Sequence, residues 1–284
     1  MNSITTLNKV DGVEFLTYKE LEKISFIKHA FSTKNGGVSE GIYKSMNLSY
    51  TRGDNKENVD ENYRRFFSAI GCTLENVALT DQIHKTDIIK VDEEKLHELN
   101  EKASIKGKKI EGRKFDNIDG LITNLKNVPL VTSYADCVPL YFVDKKNKAI
   151  GLSHSGWRGT VAGMGIKTIE AMKEAYGTNP DDVVAVVGPS ICKDCYEVSK
   201  EVVDEFHIMY DGKFDVTSIY TITSNDKRQL DLWEANKNIL LLAGIRLENI
   251  IISSVCTSCN DDLLFSHRKT QGKRGNLIAV LEIV

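Results

Sequence analysis

Two side chains capable of chemistry, Cys137 and His154, lie in the runs Tyr134-Ala-Asp-Cys-Val-Pro-Leu-Tyr-Phe-Val-Asp and Ala149-Ile-Gly-Leu-Ser-His-Ser-Gly-Trp-Arg-Gly-Thr, which are separated by a short polar turn. The pattern predicts strand, turn, strand, glycine-rich bend and helix start. An antiparallel hairpin would bring Cys137, at the start of the first strand, and His154, at the end of the second, to one end of a sheet. A thiolate beside an imidazole makes either a metal site or a nucleophile and base pair. His84, in the polar interruption Gln82-Ile-His84 between two further predicted strands, is a third candidate, although a lone loop histidine is ordinarily just solvated. A separate possibility is the two Cys-x-x-Cys units, Cys192/Cys195 and Cys256/Cys259. Together they could supply all four ligands of a closed structural zinc. The roughly sixty residues between them are unlike a zinc ribbon, and free thiols are the simpler reading.

The elements that must position these groups are read from hydrophobic spacing. Val59, Tyr63, Phe66 and Ile70 recur at helical period from Asp54 to Ile70, and Gly71 caps the run. A helix is predicted from about Thr160 to Tyr176, closed by Gly177, with Val161, Met164, Thr168, Met172 and Tyr176 on one face. Free N–H groups at its start, together with Arg158, would make an anion site. Equally, Arg158 could pair with a carboxylate while the glycines serve close packing. Two more helices are predicted, one with Val198, Val202, Phe206 and Met209 aligned, the other from Asp231 to Ala243 with Leu232, Ala235, Ile239 and Leu242 aligned. Val183–Val187, Ile250–Ser254 and Leu277–Leu281 read as strands. Gly36 and Gly37, after a strand beginning near His29, mark a turn. Residues 92–115 are dense in Glu and Lys and are expected to form an exposed, mobile insertion. Strands and helices mix along 1–284 without a linker, which predicts one α/β domain.

Composition narrows the function classes. Lys plus Arg number 37 against 40 for Asp plus Glu, a net charge of -3 with no block of one sign, so a nucleic-acid partner is not expected. The first ten residues lack a basic region followed by an apolar one, and no run approaches the ~20 apolar residues of a membrane span. No membrane partner is expected, and the expected location is cytoplasmic. Six cysteines in that setting are thiols or metal ligands rather than a disulfide framework.

Nine runs in order resemble one known family. They are His29-Ala-Phe-Ser-Thr-Lys-Asn-Gly-Gly-Val-Ser, Gln82-Ile-His84, Ala135-Asp-Cys-Val-Pro, His154-Ser-Gly-Trp-Arg-Gly, Gly188-Pro-Ser-Ile, Tyr196-Glu-Val, Leu230-Asp-Leu, Cys256-Thr and Phe265-Ser-His-Arg. The chain is similar through them to the YfiH family, also called laccase-domain or polyphenol-oxidase-like proteins. The resemblance implies a layered α/β/β/α sandwich with mixed sheets. It also implies a metal, most often zinc, on the residues matching His84, Cys137 and His154. The activity implied is purine nucleoside phosphorolysis on adenosine, inosine or methylthioadenosine, with adenosine deamination as a companion. Lys34 and Ser155 stand where the family more often has Arg and Ala, and His267 where Tyr is common. Lys34 keeps the charge of Arg without its planar fork.

Two histidines and one cysteine leave a tetrahedral position open, as a catalytic zinc requires. Phosphorolysis further needs an anion site near the ribose, and Arg158 is the candidate. Gln82, Lys34 and Asn47 join it as candidate substrate-binding residues. The expected partners are thus a purine nucleoside and phosphate, for a monomer or homodimer. Copper is possible on the same ligands. Apart from His84 and His154 the chain has only His29, His97, His207 and His267, too few for a conventional multicopper cluster, so a copper-dependent phenol oxidase is a secondary alternative. A metal-free Cys/His hydrolase or deamidase is the other alternative, with Cys137 as nucleophile, His154 as base and Asp136 or Asp119 as orienter.

Overall fold

The last apolar run, Leu277–Ile283, sends Leu277, Ala279, Leu281 and Ile283 into one core and Ile278 and Val280 into another. That period-two alternation fixes a strand with both faces covered. The computed structural model describes residues 3–105 and 110–284. In chain order its strands are β1 (Thr5–Val10), β2 (Val13–Tyr18), β3 (Ile27–Ser32), β4 (Ala78–Asp81), β5 (Ile88–Lys90), β6 (Lys114–Asp116), β7 (Gly120–Thr123) and β8 (Leu130–Tyr134). They continue with β9 (Val138–Asp144), β10 (Ala149–Ser155), β11 (Val183–Val187), β12 (Glu197–Ser199), β13 (Tyr220–Ile222), β14 (Lys227–Leu230), β15 (Ile250–Ile252) and β16 (Leu277–Ile283). The helices are α1 (Lys19–Glu22), α2 (Lys56–Ile70), α3 (Glu93–Ile105), α4 (Trp157–Val161), α5 (Met164–Tyr176), α6 (Lys200–Tyr210), α7 (Leu232–Leu242) and α8 (His267–Thr270).

Seven strands form one sheet in the order β1-β2-β3-β16-β8-β4-β6, and six form a second in the order β15-β11-β9-β10-β7-β5; β12, β14 and β13 make a small third sheet. Both large sheets mix parallel and antiparallel pairs. Leu16, Phe31 and Leu130 of the first sheet meet Leu121, Tyr141 and Ile150 of the second in the core between them. Helix α2 covers the outer face of the first sheet through Val59, Tyr63 and Phe66, and α5, α6 and α7 cover the outer face of the second. The layers are therefore α/β/β/α, as expected. Every residue of β9 and β10 is buried, because helices lie outside their sheet and the seven-stranded sheet inside it.

Helix α2 follows its sequence signals. Asn55 accepts the Glu57 N–H at the N-cap, and Gly71 closes the helix at φ 67°. Burying each large apolar side chain on its inner face contributes about 1.5–3 kcal/mol. Elsewhere the structure corrects the expectation. The helix predicted from Thr160 to Tyr176 is two helices, α4 and α5, separated at Gly163 with φ 75°. In α6 the buried stripe is Val203, Phe206 and Tyr210 while Met209 is exposed, because Val198 belongs to β12 and the helix begins at Lys200. In α7, Leu240 is buried and Leu242 is exposed. The charged stretch 92–115 contains α3, whose Leu99 joins the core between the sheets; residues 106–109 of it lie outside the described residues. Among the described residues no helix is long and apolar enough to cross a membrane.

Candidate functional site

Two chain crossings from the seven-stranded to the six-stranded sheet meet at one end of the sandwich. The first, between β4 and β5, carries His84; the second, between β8 and β9, carries Asp136 and Cys137. Strand β10 runs back along β9 with His154 opposite Pro139 and Ser155 opposite Val138, so His154 ends beside Cys137, as the hairpin predicted. His84, Cys137 and His154 offer ligand atoms that all lie within 4.8 Å of one another, a group that could hold a metal ion. The two imidazole rings sit edge to face at 4.9 Å and 86°. Gly156 is required by this crowding rather than by its backbone: a Cβ there would stand 3.1 Å from Cys137 Sγ and 3.2 Å from His84 Cδ2.

Asp119, fully buried just before β7, orients the group. His154 Nδ1 lies 2.9 Å from its Oδ1, which leaves Nε2 as the remaining ring nitrogen. The same carboxylate accepts the backbone N–H groups of Ile83, His84 and Lys85 at 3.1, 3.0 and 3.0 Å. Those bonds hold His84 at φ 62°, in the left-handed region. Burial alone would push the Cys137 thiol up, but the charge on His154 and hydrogen bonds from His154 and His84 outweigh it and bring it down to about 6. Burial likewise opposes charge on His154, yet the facing Cys137 and the Asp119 carboxylate raise it to about 9. A thiolate is the form that ligates a metal or attacks as a nucleophile.

The group opens into a cleft of about 580 Å³. Five cations line it: Arg52, Lys114, Arg158, Arg268 and Arg274. Arg158 lies over the Trp157 ring at 4.2 Å and is exposed. It is the second residue of α4, which spans only five residues, so the anion site expected at the start of a long helix reduces to the guanidinium itself. Arg274 was not legible as a site residue. It is 9% exposed, its Nε has no hydrogen-bond partner, and among the described residues it makes no ion pair. Burial and the neighbouring Arg52 lower its pKa to about 10, outweighing the opposite pull of Asp136 and Cys137, neither of which it pairs with directly. The available signal was its place directly before a buried strand.

The remaining candidates divide. Gln82 lines the cleft, but both ends of its amide are tied to the backbone of Ser133, at 2.9 and 2.7 Å. Asn47 is fully buried behind the cleft wall, its amide holding Asp54 and the backbone N–H groups of the lining residues Ser49 and Asn276. Lys34 lies in a second, separate cavity, where its Nζ bonds the Asp261 carbonyl. Lys34 is therefore not brought to the site, and Asn47 reaches it only through the lining residues it holds. Asp136 does not orient His154; its carboxylate accepts Thr257 Oγ1–H at 2.6 Å and the Arg268 N–H at 2.7 Å. Of the two carboxylates weighed, Asp119 is the orienter. His267 lines the cleft with Nδ1 3.3 Å from an Arg274 guanidinium nitrogen.

A family model described as multi-copper polyphenol oxidoreductase laccase matches residues 28–284. The chain is 34% identical over 251 residues to a protein named purine nucleoside phosphorylase YlmD of Bacillus subtilis (strain 168), covering 88% of this chain and 86% of that one. It is 32% identical over 257 residues to a protein named adenosine deaminase RL5 from an unknown prokaryotic organism, covering 88% and 94%. The crystal structure of the Bacillus licheniformis hypothetical protein YfiH superposes with a TM-score of 0.88 at 28% identity, covering 98% of this chain and 99% of that chain.

Proposed function

This chain belongs to the family described as multi-copper polyphenol oxidoreductase laccase, also called YfiH, and from that membership and its site we propose a zinc-dependent purine nucleoside phosphorylase with adenosine deaminase activity. Adenosine, inosine and methylthioadenosine are the proposed nucleosides. The observation that carries the proposal is the convergence of His84, Cys137 and His154 on the wall of a cation-lined cleft. The names of the relatives, phosphorylase in one case and adenosine deaminase in the other, support the choice of reaction.

The donor set fits zinc. Two imidazoles and a thiolate, with a carboxylate behind one imidazole, make three ligands and leave a fourth position for water or substrate. The chemistry supplied by zinc there is Lewis-acid polarisation and a lowered pKa for bound water. The protein's own groups do the rest. Arg274, buried without a direct ion pair, together with Arg52 and Arg158, would hold the phosphate dianion through guanidinium N–H groups. Phosphate held there would attack the sugar C1′ as the bond to the base breaks, its proton passing to the departing base, to give free base and the sugar 1-phosphate. Trp157 and Tyr196 line the same cleft, each with a guanidinium over its ring, Arg158 at 4.2 Å and Arg268 at 5.1 Å.

The structure gives little support to multicopper oxidation. His29 accepts the Tyr18 N–H, His97 faces Glu101 and His207 faces Asp211, so of the other histidines only His267 reaches the cleft. A metal-free Cys/His hydrolase has one observation in its favour, the thiolate and imidazolium pair backed by Asp119. One assay separates these readings: base release from inosine by metal-replete protein, with and without phosphate, beside ammonia release from adenosine. Expected are phosphate-dependent base release, loss of metal and both activities in Cys137→Ala, and weakened phosphorolysis with deamination spared in Arg158→Ala. Base release without phosphate would make the protein a hydrolase. Turnover surviving metal removal would favour the Cys/His dyad.

A further inference from the structure

Strands β11 and β15 are parallel neighbours, with Val187 opposite Ile252, so both end at the same edge of the six-stranded sheet. Each then runs into a loop carrying one Cys-x-x-Cys unit, and the loops remain in register through the bridge between Ser190 and Cys256. The long stretch between the two units is the crossover that returns the chain to the parallel neighbour. Separation in sequence therefore carries no separation in space.

We propose that Cys192, Cys195, Cys256 and Cys259 form a second metal centre, a closed tetrahedral zinc site whose role is structural. The four Sγ atoms lie within 4.8 Å of one another, with Cys195 to Cys259 at 3.4 Å and Cys192 to Cys259 at 3.9 Å. A tetrahedral ion with Zn–S of about 2.3 Å sets its sulfurs about 3.8 Å apart. The backbone N–H groups of Cys192 and Cys259 both donate to Cys256 Sγ at 3.3 Å, an arrangement that suits a thiolate ligand at the buried corner of the site. All four thiols are unpaired by disulfide. No histidine, carboxylate or open position belongs to the group, which separates it in kind from the cluster at His84. Four thiolates on one ion match zinc, and binding releases the thiol protons to solvent.

The same loops brace the functional site. Thr257, next to Cys256, donates its hydroxyl to Asp136 at 2.6 Å, and Ile191, next to Cys192, donates its N–H to the Asp136 carbonyl at 3.0 Å. Asp136 is held at φ 87° beside Cys137. An ion on the four cysteines would tie together the two loops that hold this residue.

The test is elemental analysis of the full chain purified under reducing conditions, with cobalt(II) substitution as the spectroscopic readout. Two zinc ions per chain are expected in the wild type. One is expected in Cys137→Ala, and one in the double variant Cys195→Ser, Cys259→Ser. Cobalt in the Cys137→Ala chain, where only the four-cysteine site remains, should give strong thiolate-to-metal charge transfer and intense tetrahedral visible bands. That spectrum decides alone if the serine variant fails to fold. A Cys137→Ala chain without tightly held metal, a pale octahedral cobalt spectrum, iron in place of zinc, or two disulfides found by mass spectrometry would each overturn the proposal. The outcome is independent of whether the protein is a phosphorylase.

Discussion

One buried carboxylate, that of Asp119, anchors both histidines of the site. It reaches His154 through the ring Nδ1 and His84 through three successive backbone N–H groups. An amide at this position has one oxygen and one donor nitrogen, so one end would set a donor against donors. Asp119→Asn is accordingly expected to weaken metal binding at His84, Cys137 and His154 by about 10–100-fold, as loss of an outer-shell partner does elsewhere. Competition against a chromophoric chelator measures it, with circular dichroism as the check on folding; an unchanged affinity would remove Asp119 from its orienting role. The same residue explains what was legible. Cys137 and His154 could be paired from sequence because a short hairpin fixes their register. The position of His84 depends on a carboxylate 35 residues away, so from its own residues it was a third candidate without a register, and the family resemblance made it a ligand. Arg274 carried no motif of its own, and its burial without a direct ion pair exists only in the folded chain.

At the scale of elements, the break between α4 and α5 separates two tasks. Trp157 and Arg158 on α4 face the cleft, while α5 packs Met164, Ile169 and Met172 into the core. The apolar spacing runs through both helices, which is why one helix was expected; the signal against it was Gly163. At φ 75° that residue occupies a conformation costing an L side chain about 1–2 kcal/mol, and a Cβ would also come 3.3 Å from the Tyr210 hydroxyl. Gly163→Ala should therefore lower stability by about 1–2 kcal/mol, read as a lower urea midpoint at unchanged slope. An unmoved midpoint would mean that residue 163 does not need its left-handed turn. Capped amphipathic helices such as α2 were legible because Gly71 closes a one-face stripe of Val59, Tyr63, Phe66 and Ile70. The two Cys-x-x-Cys units could be read as one possible ligand set, but their convergence could not, because parallel pairing of β11 and β15 is a fact of topology and leaves no mark in local spacing.

For the whole molecule, the α/β/β/α stack places the site at one end of the sandwich and leaves its interior to packing, with His29 as a titratable exception. His29 is 8% exposed on β3, stacks on Tyr18 at 5.4 Å and accepts the Tyr18 N–H at 2.8 Å through Nε2. Burial lowers its pKa from 6.5 to about 3, so the folded chain keeps it neutral where the unfolded chain protonates it. The sign follows directly. Below about 6.5 the unfolded state binds the extra proton, so folding stability falls as the pH drops, by up to about 1.4 kcal/mol per unit until the pH nears 3. Between pH 7 and pH 5 that loss amounts to about 2 kcal/mol, in a window where most exposed carboxylates are still ionised. His29→Gln retains an acceptor for the Tyr18 N–H but has nothing to titrate, and the other histidines are common to both chains. Urea unfolding of the two proteins across this window should show the wild type losing about 2 kcal/mol more than the variant. Parallel stability curves would mean that His29 takes up its proton in the folded state, and that the core around Tyr18 opens far enough to solvate it.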